Sequence, residues 1–138
     1  MQDYAFQYGD FTIVDGTFCI SMYDLTLIIF SNVDALLKTT ITGMVLAPAE
    51  RSAAVIRAAR RFSLDKADTV FMTDQASAFA TAARELKKIH LLCVHHFRTA
   101  VFSAHGGMSQ DLRTHFIRRC NNLIFDVYPN SSMFDEEF

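Results

Sequence analysis

Phe11-Thr-Ile-Val-Asp-Gly-Thr-Phe-Cys-Ile20 is rich in β-branched and aromatic residues and apolar at odd and even positions alike. A stretch of that kind predicts a central strand buried on both faces, and the rest of the chain is read outward from it. Tyr23-Asp24 marks a turn, Leu25 to Val33 a second strand, and Thr39 to Leu46 a third after a polar-edged connection, so the first half is expected to be an antiparallel meander. At Ala47-Pro48 the pattern changes, because proline is tolerated in a first helical turn and the alanine-rich run after it favours helix. The helix is predicted over 49–62, with Val55, Ile56, Ala59 and Phe62 inward and Arg57, Arg60 and Arg61 on a solvated face. Ala67 to Met72 returns to strand composition. Asp74 then caps a second helix with the stripe Ala76, Phe79, Ala80 and Ala83, and Ile89 to Val94 is a fifth strand. The order βββαβαβ predicts a mixed α/β sheet, a three-strand antiparallel meander followed by αβαβ.

Beyond the last strand, His96 to Ser103 reads as a helix broken by Gly106-Gly107. From Asp111 onward Leu112, Phe116, Cys120, Leu123 and Ile124 recur at helical spacing and predict a buried stripe. Tyr128-Pro-Asn-Ser-Ser is a turn, and Phe134-Asp-Glu-Glu-Phe138 opens an element that is cut off, so the chain is expected to stop inside a domain.

The 138 residues, 51% of them hydrophobic, suffice for one domain with a full core and exclude a disordered tail or a fibre. No apolar run approaches the roughly 20 residues that span a bilayer, and no basic segment followed by an apolar stretch opens the chain. Three cysteines, Cys19, Cys93 and Cys120, suit a reducing compartment better than a disulfide framework. These features predict a soluble, intracellular protein. Net charge is −2, but residues 38–120 hold all 13 bases against six acids, between flanks that carry acids alone. A basic middle permits contact with a polyanion without demanding it.

Asp15 is an ionisable residue inside an apolar stretch, where a buried charge costs several kcal/mol unless paired or bound to a metal. The competing reading makes Asp15-Gly16 a hairpin tip. Asp74 follows an apolar strand at the mouth of a helix, the address where ligand sites gather in open α/β sheets, and it also reads as a plain N-cap. Neighbouring strands would bring the two carboxylates near one point, an oxygen-rich arrangement suited to Mg²⁺ or Mn²⁺. Cys93-Val-His-His96 is half of a zinc pattern that His115 and Cys120 could complete, though a buried thiol beside a loop-orienting histidine is the favoured reading and Zn²⁺ the less favoured ion. A Cys–His nucleophile pair is disfavoured, because a thiol within an apolar strand stays neutral. His90, His105 and Glu50 have no partner that sequence identifies.

Taken together, Val14-Asp-Gly-Thr-Phe18, Thr73-Asp74 after an apolar strand, and Cys93-x-x-His96 nineteen residues past that aspartate resemble the transposase domain of Mutator-like elements. That family belongs to the DDE recombinases with an RNase H-like fold, and the resemblance spans residues 11–104. It implies a sheet with the first strand at its centre, DNA as partner, and two Mg²⁺ or Mn²⁺ ions held by Asp15, Asp74 and a third acid for phosphodiester cleavage and strand transfer. Cys93 and His96 become a family signature beside the site. Glu50 looks like the acid often found at that place in the family. A nuclear location follows for a eukaryotic transposase, and a homo-oligomer for a full-length parent.

The departures are specific. The family's third catalytic acid is a glutamate beyond a mostly helical insertion, and residues 105–138, read as the start of that insertion or a truncated segment, offer only Glu136 and Glu137. The family's upstream zinc-binding DNA-recognition module has no counterpart here. The leading expectation is a transposase core, residues 1–104, that is inactive alone. Its rivals are a non-catalytic DNA-associated or protein-interaction domain, and a small nuclease using Asp15, Asp74 and Glu50.

Overall fold

The computed structural model describes residues 9–17, 24–104 and 107–125, with side chains at all of these except 101, 102, 104 and 120–125. The chain forms two compact units, residues 1–97 and 98–138. The first contains β1 (Phe11–Thr17), β2 (Thr26–Val33), β3 (Thr39–Ala47), α1 (Ser52–Arg61), β4 (Val70–Thr73), α2 (Ser77–Glu85) and β5 (Ile89–Leu92). Helix α3 (Val94–Ala104) begins in the first unit and ends in the second, and α4 (Gln110–Phe125) belongs to the second. The fold is α/β with a five-stranded mixed sheet in the order β3-β2-β1-β4-β5. The meander β1–β2–β3 is antiparallel, and β4 and β5 run parallel to β1. The expected order βββαβαβ is therefore present, with β1 in the middle.

Strand β2 shows why the sheet forms: Thr26, Ile28, Phe30 and Asn32 are buried while the residues between them are half-buried, the period of two that a strand with one covered face requires. Helices α1 and α2 cover that face. Their inner sides are Val55, Ile56, Ala58 and Ala59 on one and Phe79, Ala82 and Ala83 on the other. The alanines keep both backbones close to the sheet, and Phe30, Phe71 and Phe79 fill the space between at full burial, each worth about 1.5–3 kcal/mol in transfer free energy. Gly43 is part of this fit, since a Cβ there would lie 2.3 Å from two ring carbons of Phe62. Phe62 in turn meets Phe30 edge to face at 5.7 Å.

Two polar features are buried in the same unit. Thr12 donates to Asn32 Oδ1 at 3.1 Å, and Thr42 donates to the Phe30 carbonyl at 3.2 Å and to the same Asn32 oxygen at 3.4 Å, so three adjacent strands share one hydrogen-bonded group. Lys88 is 8% exposed, with its ammonium 4.5 Å from the centre of the Phe71 ring. It donates to the Lys66 carbonyl at 2.9 Å and to the Thr69 hydroxyl.

Several expectations are corrected. The second face of β1, Phe11 and Ile13, is only half-buried, because both helices pack on the face of Thr12 and Val14. Helix α1 starts at Ser52, not 49, with Arg51 extended before it. Both α1 and α2 end without glycine. Ser63 (φ 58°) and Lys87 (φ 54°) take the left-handed conformation, and the Leu64 and Lys88 N–H groups reach back to the Ala59 and Ala83 carbonyls. On α4, Leu112 is 52% exposed and Phe116 half-buried, so helical periodicity there does not mark a fully buried stripe. The other stripe side chains, Cys120, Leu123 and Ile124, lie outside the described residues, as do Cys19, His105, Glu136 and Glu137.

Candidate functional site

Strands β1, β4 and β5 are mutually parallel, and β3, twice reversed through β2, runs the same way. Their carboxyl ends therefore share one end of the sheet, where α1, α2 and α3 begin. None of those helices has an acidic residue in its first turn. A helix start carries a partial positive charge, which favours anionic ligands at this end.

Asp15 lies within the β1 ladder, opposite Ile29, and Gly16 is opposite Ile28. The hairpin-tip reading is thereby overturned. The expected burial is corrected as well: the Asp15 side chain is 45% exposed, because it sits near the strand's end on the face the helices leave uncovered. Asp74 follows β4 directly. Its Oδ1 accepts the Ala76 N–H at 2.8 Å, closing a turn before the helix. The N-cap position belongs to Ala76, two residues later than expected, so Asp74 shapes the approach to α2 and does not cap it.

Glu50 is the acid that the nuclease alternative would add to the two aspartates. It precedes α1 at the same end, with Oε2 buried and without a hydrogen bond among the described residues. That oxygen occupies the space a side chain at position 16 would need, since a Cβ on Gly16 would stand 2.5 Å from it. Burial raises the Glu50 pKa above the usual carboxylate value, and the negative charges of Asp74 and then Asp15 raise it further. Asp74 and Asp15, from two other segments, thus both act on Glu50. The signal in the sequence was the glycine directly after Asp15: only a residue without a Cβ lets a long acid reach over that strand.

The signature pair falls beside these acids. Cys93 lies just past β5, not within it, as a half-exposed free thiol, and its N–H donates to the Thr73 carbonyl at 2.6 Å. His96, in the first turn of α3, places Nε2 3.8 Å from Asp15 Oδ1, while its Nδ1 is buried without a partner among the described residues. His90 also gains a partner unseen in the sequence: its Nε2 is 2.8 Å from the Thr73 hydroxyl, which itself donates to the Asp74 carbonyl at 2.6 Å. His115 is on α4, in the second unit, 3.4 Å from an Arg118 nitrogen.

Asp15, Asp74 and Glu50 supply hard oxygen donors, a partner-free buried oxygen and mutual repulsion that a cation would relieve, so their chemistry fits a divalent ion. Among the described residues, however, no three His, Cys, Asp or Glu side chains already form a metal-holding group. Nor is any helix there long and apolar enough to cross a membrane. In comparison with known proteins, no family model matches the chain, and no curated protein matches it.

Proposed function

We propose that this chain is a core of the DDE transposase type, with an RNase H-like sheet resembling that of Mutator-like elements, acting on DNA phosphodiesters with Mg²⁺ or Mn²⁺. The observation that carries the reading is the gathering of Asp15, Glu50 and Asp74 at the carboxyl end of the parallel β1–β4 pair. The order β3-β2-β1-β4-β5, with β1 central, supports it as well. Asp15 and Asp74 would hold the ion, with Glu50 as the nearest third carboxylate. A bound divalent ion supplies Lewis acidity toward a phosphoryl oxygen. The chain's own contribution is orientation. The Ala76 N–H fixes the Asp74 carboxylate, His96 stands beside Asp15, and the three helix starts favour a phosphate.

Calorimetric Mn²⁺ titration of the wild type, Asp15→Asn and Asp74→Asn, paired with a cleavage assay on duplex DNA, tests this. The expected result is Mn²⁺ binding that both substitutions abolish. A folded wild type that takes up no Mn²⁺ would overturn the proposal. The lack of a ready-made three-donor group among the described residues favours a second reading, a DNA-associated or protein-interaction domain without catalysis. In that case Asp15→Asn leaves DNA binding unchanged. In a eukaryotic cell the transposase reading implies a nuclear location.

A further inference from the structure

Apart from the carboxylate end, the first unit carries a groove of about 560 Å³ between β3 and the outer side of α1. Its walls are apolar, with Leu46, Pro48, Ala54 and Phe62 among them, and its charged side chains are Arg51, Arg57 and Arg61, with no acid in the lining. Arg57 and Arg61 are one helical turn apart and exposed. Neither has an ion-pair or hydrogen-bonded side-chain partner among the described residues. Strand β3 is an edge of the sheet, so no described strand lies along its outer side. Next to the groove, β3 exposes Met44 at 58% and Leu46 at 55%.

We infer that this groove is a docking site for a short acidic peptide segment that carries aliphatic or aromatic anchors. Two complementary features select that occupant. The uncompensated arginines call for carboxylates, which guanidinium groups bind with two parallel hydrogen bonds. The apolar walls call for side chains that gain from leaving water, which a phosphodiester backbone does not offer. Among the described residues no strand pairs with the outer side of β3, so its backbone groups near the groove offer a line along which an extended segment can lie. The lining includes none of Asp15, Glu50 and Asp74, so the inference stands whether or not those carboxylates hold a metal.

The test uses the full chain and a fluorescein-labelled dodecapeptide of aspartate and glutamate with two leucines and one phenylalanine, read by fluorescence anisotropy. A matched peptide with lysine for every acid and a duplex DNA serve as competing probes. The inference expects saturable binding of the acidic peptide, at least tenfold weaker for the lysine peptide and weaker in raised salt. Arg57→Glu/Arg61→Glu should weaken it at least tenfold, and Ala53→Trp, which blocks the groove from an exposed lining position, should do the same with an unchanged melting temperature. Equal binding of both peptides, or acidic-peptide binding indifferent to these variants, overturns the inference. So does duplex DNA binding lost in Arg57→Glu/Arg61→Glu with no peptide binding, which assigns the arginines to nucleic acid. A dimer that Ala53→Trp dissolves, again without peptide binding, assigns the groove to a second copy and also overturns it.

Discussion

Replacing Gly16 by alanine probes the link between fold and site most directly. The added methyl would lie 2.5 Å from Glu50 Oε2 and 3.3 Å from Phe79 Cζ, so both neighbours must respond. They differ in freedom. The Glu50 oxygen is the end of a flexible side chain and can swing out, whereas Phe79 is fully buried and yields only a few tenths of an ångström. Overpacking of this mild kind costs about 1 kcal/mol, the low end of its usual range. Gly16 is not at positive φ, so the lost flexibility of the unfolded chain returns about 0.4–1 kcal/mol. Folding stability should therefore change by less than about 1 kcal/mol, while Glu50 loses its position. Calorimetry with Mn²⁺ should show affinity reduced at least tenfold, roughly 1.4 kcal/mol, in Gly16→Ala and equally in Glu50→Ala, and the double variant should be no worse than either alone. A destabilisation above about 3 kcal/mol would mean that Glu50 cannot leave. Unchanged Mn²⁺ affinity, or additive losses in the double variant, would refute the argument that Gly16 exists to admit this carboxylate.

Four further outcomes follow from the packing and electrostatics. Glu50 is held above its ordinary pKa, so the folded state binds its proton more tightly than the unfolded chain and stability falls as pH rises through 4.5 toward the folded value. In chelator, Glu50→Gln should thus melt higher than wild type at neutral pH, with the gap closing toward pH 4. Lys88 has the opposite bookkeeping: burial lowers its pKa from 10.5 to about 8, so between those values the unfolded state binds more protons and stability rises with pH. Urea melts from pH 7.5 to 10.5 should show that rise in wild type and not in Lys88→Met. Gly43→Ala drives a methyl into the Phe62 ring, which cannot swing away as a carboxylate can, and should cost about 2–3 kcal/mol in a urea melt. Ser63→Gly should raise stability by about 1 kcal/mol, because it removes the left-handed strain at the end of α1.

The topology was legible because its signals are local. The β-branched and apolar run from Leu25 to Val33, the switch to alanine-rich helix after Pro48 and the short apolar runs at β4 and β5 each declare their element without knowledge of the others. Helix ends were less so, since Ser63 and Lys87 do a task that sequence reading assigns to glycine, and only tertiary packing holds them there. The site divides in the same way. Asp15 and Asp74 stand out because a charge at a strand end is unusual in itself. Glu50 was only a secondary candidate, since what holds its carboxyl in place depends on a strand more than thirty residues earlier lacking a Cβ. The double burial expected of β1 failed for a related reason: an apolar sequence states what a strand tolerates on each face, but which face the helices choose is decided by the connections.

The hydrogen-bonded trio of Thr12, Asn32 and Thr42 bears on how the meander reaches a single pairing. Apolar strands slide past one another at little cost, because one isoleucine or valine substitutes well for the next. A slip of β2 by one residue would turn Asn32 to the opposite face and strand the buried Thr12 hydroxyl, forfeiting about 1–3 kcal/mol. The trio therefore acts as a latch that makes misaligned sheets uncompetitive while they are forming. Asn32→Val should keep the protein folded but loosen that choice, and amide exchange along β1, β2 and β3 should accelerate together while α1 and α2 stay protected.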